Sequence, residues 1–406
     1  CALPICQRQR ASTDQTSPVW VEGKWIMAEI SYSRGLAGVI ADESKICTID
    51  GEKGELYYYG YPIQTLAKES NYSEITFLLL YGHLPNSSEL EGLERKLRAA
   101  REVPGALLDL IRGFPRDAHP MRGLQASTAC LGMFDSVPGD ASQDDQRELA
   151  IRLIGAYPTL IACIANHREG RDFVQPRSDL SHAANFLYML QGKEPEEHVA
   201  KMFDVCLVLH AEHTFNASTF TGRVVGSTLA DLHSAVAAAV GALSGSLHGG
   251  ANERVLKMLE NIGGLDNVNS WFENAMATKK KVMGMGHRVY KTIDPRAKIL
   301  RAMLDGVAQA TGEKKDLEVL GELADLMAKQ MDETGKQIWP NVDYYSGSLY
   351  RLLGIDTIDF TPIFALSRVS GWTAHVLELW SDNRLYRPKC HYVGEKDLPY
   401  VPISQR

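Results

Sequence analysis

From residue 74 onward the chain reads as one helix after another, divided by short breaks rich in glycine and proline, while strand-like runs lie mainly near its start. A mostly α fold follows from that pattern. Ser44–Ile49 and Glu55–Tyr59 are short β-rich runs around Asp50-Gly51-Glu52-Lys53-Gly54, the signature of a hairpin with a glycine-assisted turn. Helical stretches then follow at Glu74–Leu80, Pro104–Arg112, Gln125–Phe134, Asp145–His167, Asp179–Leu190 and Glu196–Glu212. Ser88 and Glu91 have capping-box spacing ahead of Leu90, Leu93 and Leu97. Thr221–Leu247 is alanine-rich and reads as one interior helix packed closely on its neighbours. Asp294–Thr311 and Leu317–Thr334 continue the series, and Thr361-Pro362 reads as the cap and first residue of a long helix to Ser381.

The composition bounds the rest. A chain of 406 residues with 45% hydrophobic and 23% charged residues suits a soluble globular protein of one large domain or two. A net charge of −7 argues against whole-molecule attraction to nucleic acid. No apolar run approaches the roughly 20 residues of a membrane span, the best stretch being Ala235–Leu243. The seven cysteines are odd in number, scattered, and lack a Cys-x-x-Cys pair, which points to a reducing compartment rather than a disulfide framework. Residues 1–26 lack apolar periodicity and read as an upstream, targeting or expression-derived segment, with Met27 a sensible native start.

Four stretches combine polar residues with glycine or small neighbours: Ala211–Phe220, Ser246–Asn252, Lys279–Arg296 and Asn341–Gly347. Lys279–Arg296, KKKVMGMGHRVYKTIDPR, is the densest. It joins three lysines, two glycines free to take positive φ, a histidine, and an Asp-Pro step typical of a helix start. No strand precedes Gly284-x-Gly286, so the dinucleotide-binding reading fails. His213, His248 and His287 have no metal-ligand spacing, and no Gly-x-Ser-x-Gly elbow marks a hydrolase. Taken singly, each stretch also fits a cap, an Asx-turn or a solvated charge run.

Taken together they resemble one family. LHAEHTFNASTF, SLHGGAN, MGMGHRVYKTIDPRA, NVDYYSG, SRVSGW and NRLYRP stand in the order found in citrate synthases, and the hairpin IDGEKGELYYYGYPI and the ending YVGEKDLPYVPI agree. The likeness runs from about Gly35 to Ile403 and is nearest to the bacterial and archaeal type. His119-Pro120-Met121 also matches, although Gln125 stands where many members carry an arginine.

The resemblance implies an all-α homodimer with a small N-terminal β-hairpin. Residues 27–250 and 346–406 would form a large domain, and 251–345 a small domain on the coenzyme A side. It implies condensation of acetyl-CoA with oxaloacetate, Asp343 as general base, and His248 and His287 as catalytic histidines. His213, Arg296, Arg368 and Arg387 would hold the dicarboxylate, with Arg387 handed across from the partner subunit. Coenzyme A would lie along Thr278, Lys279, Lys280, Lys281, Val282, Met283 and Gly284. No metal, permanently bound cofactor, nucleic acid or membrane is implied. The compartment would be the cytoplasm, or the mitochondrial matrix or another organelle if residues 1–26 are a targeting remnant.

These residue types suit that chemistry. A thioester methyl is a very weak acid, so its base must be close and its enolate stabilised as it forms. A carboxylate can take the proton, one imidazole can donate to the enolate oxygen, and a second can polarise the ketone. Arginine forks match a dicarboxylate, and lysines suit phosphates. Two rivals remain. One is 2-methylcitrate synthase, which would take propionyl-CoA. The other is a silent helical scaffold, which would be expected to lose the base or an arginine.

Overall fold

The computed structural model describes residues 33–406 apart from Ser136 and Gly139, and the backbone of two strands upstream. The chain forms two compact units, Cys1–Ser44 and Lys45–Arg406. In the first, β1 (Thr16–Val21) pairs antiparallel with β2 (Lys24–Glu29). The rest of the upstream segment anticipated at 1–26 lies outside the described residues.

The second unit opens with a three-stranded antiparallel sheet of β3 (Cys47–Asp50), β4 (Glu55–Tyr58) and β5 (Tyr61–Pro62). This is the expected hairpin with a short third strand. Its turn docks on residues 289–293. The Lys291 N–H donates to the Gly51 carbonyl at 2.9 Å, and a Cβ at Gly54 would stand 2.7 Å from Thr292 Cγ2. The turn glycines are needed for that close approach.

The helices follow as α1 (Ile63–Glu69), α2 (Tyr72–Tyr81), α3 (Ser87–Ala99), α4 (Gly105–Arg112), α5 (Pro120–Leu131), α6 (Gln143–Arg168), α7 (His182–Gln191) and α8 (Glu197–His210). Then come α9 (Ala217–Gly226), α10 (Leu232–Leu243), α11 (Ala251–Ile262), α12 (Val268–Ala277), α13 (Pro295–Thr311), α14 (Lys315–Thr334), α15 (Asp343–Leu352) and α16 (Phe360–Ser381). The mostly α expectation holds.

Two of these helices are buried nearly all round, α6 from Leu149 to Asn166 and α16 from Phe360 to Val376. They pack on each other and gather α2–α5 and α7–α11 around them, while α12–α15 pack on one another and on α11. By length and composition α6 could cross a membrane, contrary to the expectation that no segment could. Its apolar window is almost wholly buried against protein, as a core helix requires.

Three local readings are corrected. Thr221–Leu247 is not one helix but α9 and α10. The chain breaks at Ser227–Ala230, where Leu229 takes φ 60°, and restarts at Asp231, whose carboxylate accepts the Ser234 N–H at 3.0 Å. The expected close approach is present, because a Cβ at Gly222 would lie 3.4 Å from the Ala235 carbonyl oxygen. The capping box belongs to Asn86 and Glu89, two residues before the Ser88–Glu91 pair. Asn86 is extended, whereas Ser88 already lies inside the first turn. The cap of α16 is Asp359, so Thr361 and Pro362 stand in its first turn. Proline is tolerated there because that N–H has no intrahelical acceptor. Gln125 lies exposed on α5, with its amide over Gly241 of α10.

Candidate active site

α8 ends at His210, and the chain turns through Ala211–Phe215 before Asn216 caps α9. The Asn216 side-chain oxygen accepts the N–H groups of Ser218 and Thr219, at 3.1 and 3.2 Å. This places His213 in the turn, buried, with its Nε2 3.3 Å from the Tyr290 hydroxyl. It also aims the Ser218 N–H and hydroxyl at Nε2 of His248, at 3.2 and 2.8 Å. The Trp372 indole donates to the same Ser218 oxygen at 3.1 Å.

The third histidine, His287, comes from a glycine turn. Gly284 (φ 75°) and Gly286 (φ 84°) make the turn before His287. Asn341 clamps that turn, its N–H donating to the Gly284 carbonyl at 2.9 Å and its Nδ2 to the Gly286 carbonyl at 2.8 Å. The Asn341 Oδ1 meanwhile accepts the N–H of Asp343 at 3.0 Å. One asparagine thus ties the His287 turn to the residue that opens α15. His287 Nδ1 accepts the N–H groups of Val289 and Tyr290, at 3.0 and 3.3 Å.

These bonds assign both tautomers. A backbone N–H can only donate, so the nitrogen it faces carries a lone pair. The proton therefore sits on Nδ1 of His248 and on Nε2 of His287. Both rings are neutral. Burial, with Arg368 beside it, lowers His248 to about 4. Burial, with Arg296 beside it, lowers His287 to about 4. Burial and then Arg296 hold His213 well below the ordinary imidazole value, and its ring meets that of His287 edge-on at 5.2 Å.

The arginines divide. Arg296 and Arg368 are each at most 2% exposed. Arg296 is gripped by the carboxylate two residues earlier, its Nε donating to Asp294 Oδ1 at 3.0 Å and its Nη2 to Oδ2 at 2.7 Å. Burial opposes its charge, but Asp294 more than offsets this and raises it. Arg368 donates from Nε to the His210 carbonyl at 2.7 Å and lies over the Phe364 ring. Burial lowers it, against the pull of Glu212. Arg387 stands apart, exposed on the tail after α16, with Nη1 donating to the Pro388 carbonyl at 2.8 Å.

Asp343 is pushed up to about 6 by burial, against the pull of Arg296 and Arg368. The same two guanidinium groups act on the histidines. The fold therefore gathers His213, His248, His287, Arg296, Arg368 and Asp343 into one electrostatic neighbourhood and leaves Arg387 outside it. Histidines far apart in sequence meet here. His213, His287 and Asp294 offer ligand atoms within 4.8 Å of one another, although Asp294 is already engaged by Arg296.

The candidate coenzyme segment follows α12. Thr278, Lys279, Lys280 and Lys281 are exposed, while Val282 and Gly284 are buried and Met283 partly so. The Lys280 ammonium lies 5.5 Å from the Trp271 ring centroid. The cations thus line a solvent-facing edge that runs directly into the glycine turn.

Sequence reasoning missed Ser218, Trp372, Tyr290 and Asn341 as supports. It read Asp294 as a cap, which it is, but not as the partner of Arg296. Only Asn216 with Ser218 had a sequence signal, the spacing of a helix cap.

Comparison with known proteins matches the model of the citrate synthase C-terminal domain to residues 35–389. The chain belongs to the citrate synthase family. It is 45% identical to citrate synthase of a Synechocystis species, over 92% of this chain and 94% of that protein. It is 40% identical to 2-methylcitrate synthase of Mycobacterium tuberculosis, over 89% and 91%. Among solved citrate synthases, that of Thermoplasma acidophilum, a ternary complex with carboxymethyl coenzyme A and oxaloacetate, superposes with a TM-score of 0.87 at 33% identity. The superposition covers 93% of this chain and all of that one. The family's enzymes are transferases, so the silent-scaffold reading has no support from kinship.

Proposed function

We propose that this citrate synthase family member condenses acetyl-CoA with oxaloacetate and hydrolyses the resulting citryl-CoA to citrate and coenzyme A. The observation that carries the reading is the pair of neutral histidines with opposite tautomers, under the same two arginines as the half-buried Asp343 carboxylate. Asp343 takes a proton from the thioester methyl. The C–H electrons form the enolate, whose oxygen receives a hydrogen bond from Nδ1–H of His248. The enolate carbon then attacks the oxaloacetate ketone, and Nε2–H of His287 donates to the oxygen that becomes the alkoxide. Water finally cleaves the thioester. Neutral donors stabilise both developing charges without needing to be protonated at working pH.

Arg296 and Arg368 are buried cations suited to the oxaloacetate carboxylates, and His213 lies beside them. Arg387 would serve the other subunit of a homodimer. Two features support this. Arg387 lies outside its own chain's cluster, and the exposed tail that carries it bears large apolar side chains, with Tyr400 and Ile403 each 82% exposed. Such a tail suits burial on a second copy. Thr278–Gly284 would take coenzyme A, the lysines facing its phosphates. His287, Arg296 and Asp343 fall within 251–345 and His213, His248 and Arg368 outside it, which suits closure of a small lobe over a large one.

The test is release of free thiol from acetyl-CoA, dependent on oxaloacetate, with propionyl-CoA run beside it. The 2-methylcitrate synthase likeness makes propionyl-CoA the second reading. One methylene is worth only about 1–3 kcal/mol, so both substrates should turn over, with kcat/KM higher for acetyl-CoA. No oxaloacetate-dependent thiol with either would refute the function.

A further inference from the structure

His375 lies deep in α16, two turns beyond Arg368, and is fully buried. Its Nε2 is 2.9 Å from Oε1 of Glu212, itself fully buried. The Phe215 ring stands edge-on to the imidazole at 5.4 Å. Glu212 and Phe215 flank His213 and Thr214, so His375 grips that turn on both sides of the histidine. The grip has something to hold. Thr214 has φ 52°, a left-handed conformation that a β-branched residue adopts only when its surroundings enforce it. The other Glu212 carboxylate oxygen, Oε2, has no hydrogen-bond partner among the described residues. The bond to His375 therefore carries the carboxylate's anchorage.

We infer that His375 is a positioning residue for the dicarboxylate site: as an imidazolium paired with Glu212, it holds the Glu212–Phe215 turn in the strained form that sets His213 beside His287. The inference rests on the proposed function, since it takes oxaloacetate as the ligand of that site.

The surroundings favour the charged ring. From the turn after α8 comes Glu212. From α16 itself comes Glu378, with Oε2 3.7 Å from Nδ1. From α9 comes Arg223, whose Nη1 donates to the His375 carbonyl at 2.9 Å and which covers the Phe215 ring. Arg368, the Cys47 thiol and the Tyr58 and Tyr59 hydroxyls lie around the two carboxylates. Two carboxylates face the imidazole, and Arg223 shares the second of them, its Nη1 lying 3.3 Å from Glu378 Oε2. Burial opposes protonation, but Glu212 and Glu378 together offset it, and the pKa is raised above the ordinary imidazole value. The raised direction means that the clamp is complete below the ordinary imidazole value and loosens as pH rises through the higher one.

The experiment is the oxaloacetate KM across pH for wild type, His375→Gln, and His375→Gln with Thr214→Gly. Wild-type KM should climb on the alkaline side with kcat little changed. In His375→Gln, KM should be roughly tenfold higher than wild type below the ordinary imidazole value and flat through the alkaline range. Thr214→Gly, which accepts positive φ without strain, should recover part of that loss. A purely structural role would lower thermal stability and leave the pH profile in place. A wild-type KM flat over the whole range in which the fold persists overturns the inference, even if the variant fails to fold. So does an unaltered KM in His375→Gln. Absence of wild-type turnover overturns the proposed function and this inference with it.

Discussion

The Ser218 backbone N–H lies 3.2 Å from Nε2 of His248, and that contact decides which ring nitrogen carries the proton. Ser218→Ala keeps the N–H and so keeps the tautomer. It removes only the hydroxyl, which Asn216, Trp372 and His248 Nε2 share. His248→Ala removes the donor itself, and loss of one such donor typically costs about 10²–10³ in kcat. The serine variant should therefore lose far less, within roughly tenfold, with both KM values nearly unchanged. Steady-state kinetics of the two variants give the comparison. Equal losses would mean that the hydroxyl, not the N–H, sets the ring.

Asp343 should write the acid limb of the pH profile. A base must be deprotonated, and burial raises this carboxyl to about 6. Log kcat/KM should therefore fall with unit slope as pH drops below about 6. His248 and His287, at about 4, stay neutral there and add no second break. Asp343→Asn should cost several orders of magnitude in kcat. The folded pKa is raised to about 6, so the ionised group destabilises the fold at neutral pH, and this penalty fades as pH falls through the folded value and is gone below the unfolded one. The asparagine variant should thus melt at or above the wild-type temperature. A variant that melts lower would contradict the burial argument, whatever its rate.

The elements and the candidate residues were legible in the sequence for different reasons. Helices such as α8 and α13 announce themselves through local periodicity and caps, and the hairpin through Asp50–Gly54. The split of Thr221–Leu247 was hidden because alanine fits any turn of a helix, and only Asp231 marks the restart. His213 and His287 stood out by type, but their edge-on contact is made by residues 74 positions apart. No spacing rule reports that. The supporting bonds from Asn341 were hidden as well, since an asparagine in a break suggests a turn before it suggests a clamp.

The Asp294–Arg296 fork is buried at both ends, so breaking it leaves a bare guanidinium in the interior. Losses of about 3–5 kcal/mol are typical for removing one partner of such a pair. Asp294→Ala should show a loss of that order in denaturant unfolding at constant m. Asp294→Asn should lose less, because an amide oxygen can still accept one bond. An alanine variant as stable as wild type would mean that Arg296 finds another acceptor.

Gly284 allows the His287 turn to lie against α15. A Cβ there would stand 2.8 Å from Tyr344 Cα and 2.9 Å from Val255 Cγ2, and φ is 75°. Overpacking of this kind costs about 1–3 kcal/mol, to which positive φ adds. Gly284→Ala should therefore lower stability and, by shifting His287 against Asp343, lower kcat more than the stability loss alone explains. Kinetics well below the melting temperature separate the two effects. An unchanged kcat there would show that the turn tolerates displacement.

Arg387 supplies the test of shared sites. If it serves the other subunit, a dimer of one Asp343→Asn chain and one Arg387→Ala chain has one ruined site and one intact site. The chain that keeps Asp343 receives Arg387 from its partner. Random mixing of equal amounts makes half the dimers mixed, each with one of two sites working. Co-expressed or refolded mixtures should therefore recover about a quarter of wild-type activity, although each variant alone is nearly inactive. If Arg387 folds back onto its own chain instead, every site in the mixture carries a defect and no activity returns. The readout is thiol release at saturating acetyl-CoA, with the fraction of mixed dimers measured in the same sample by native mass spectrometry.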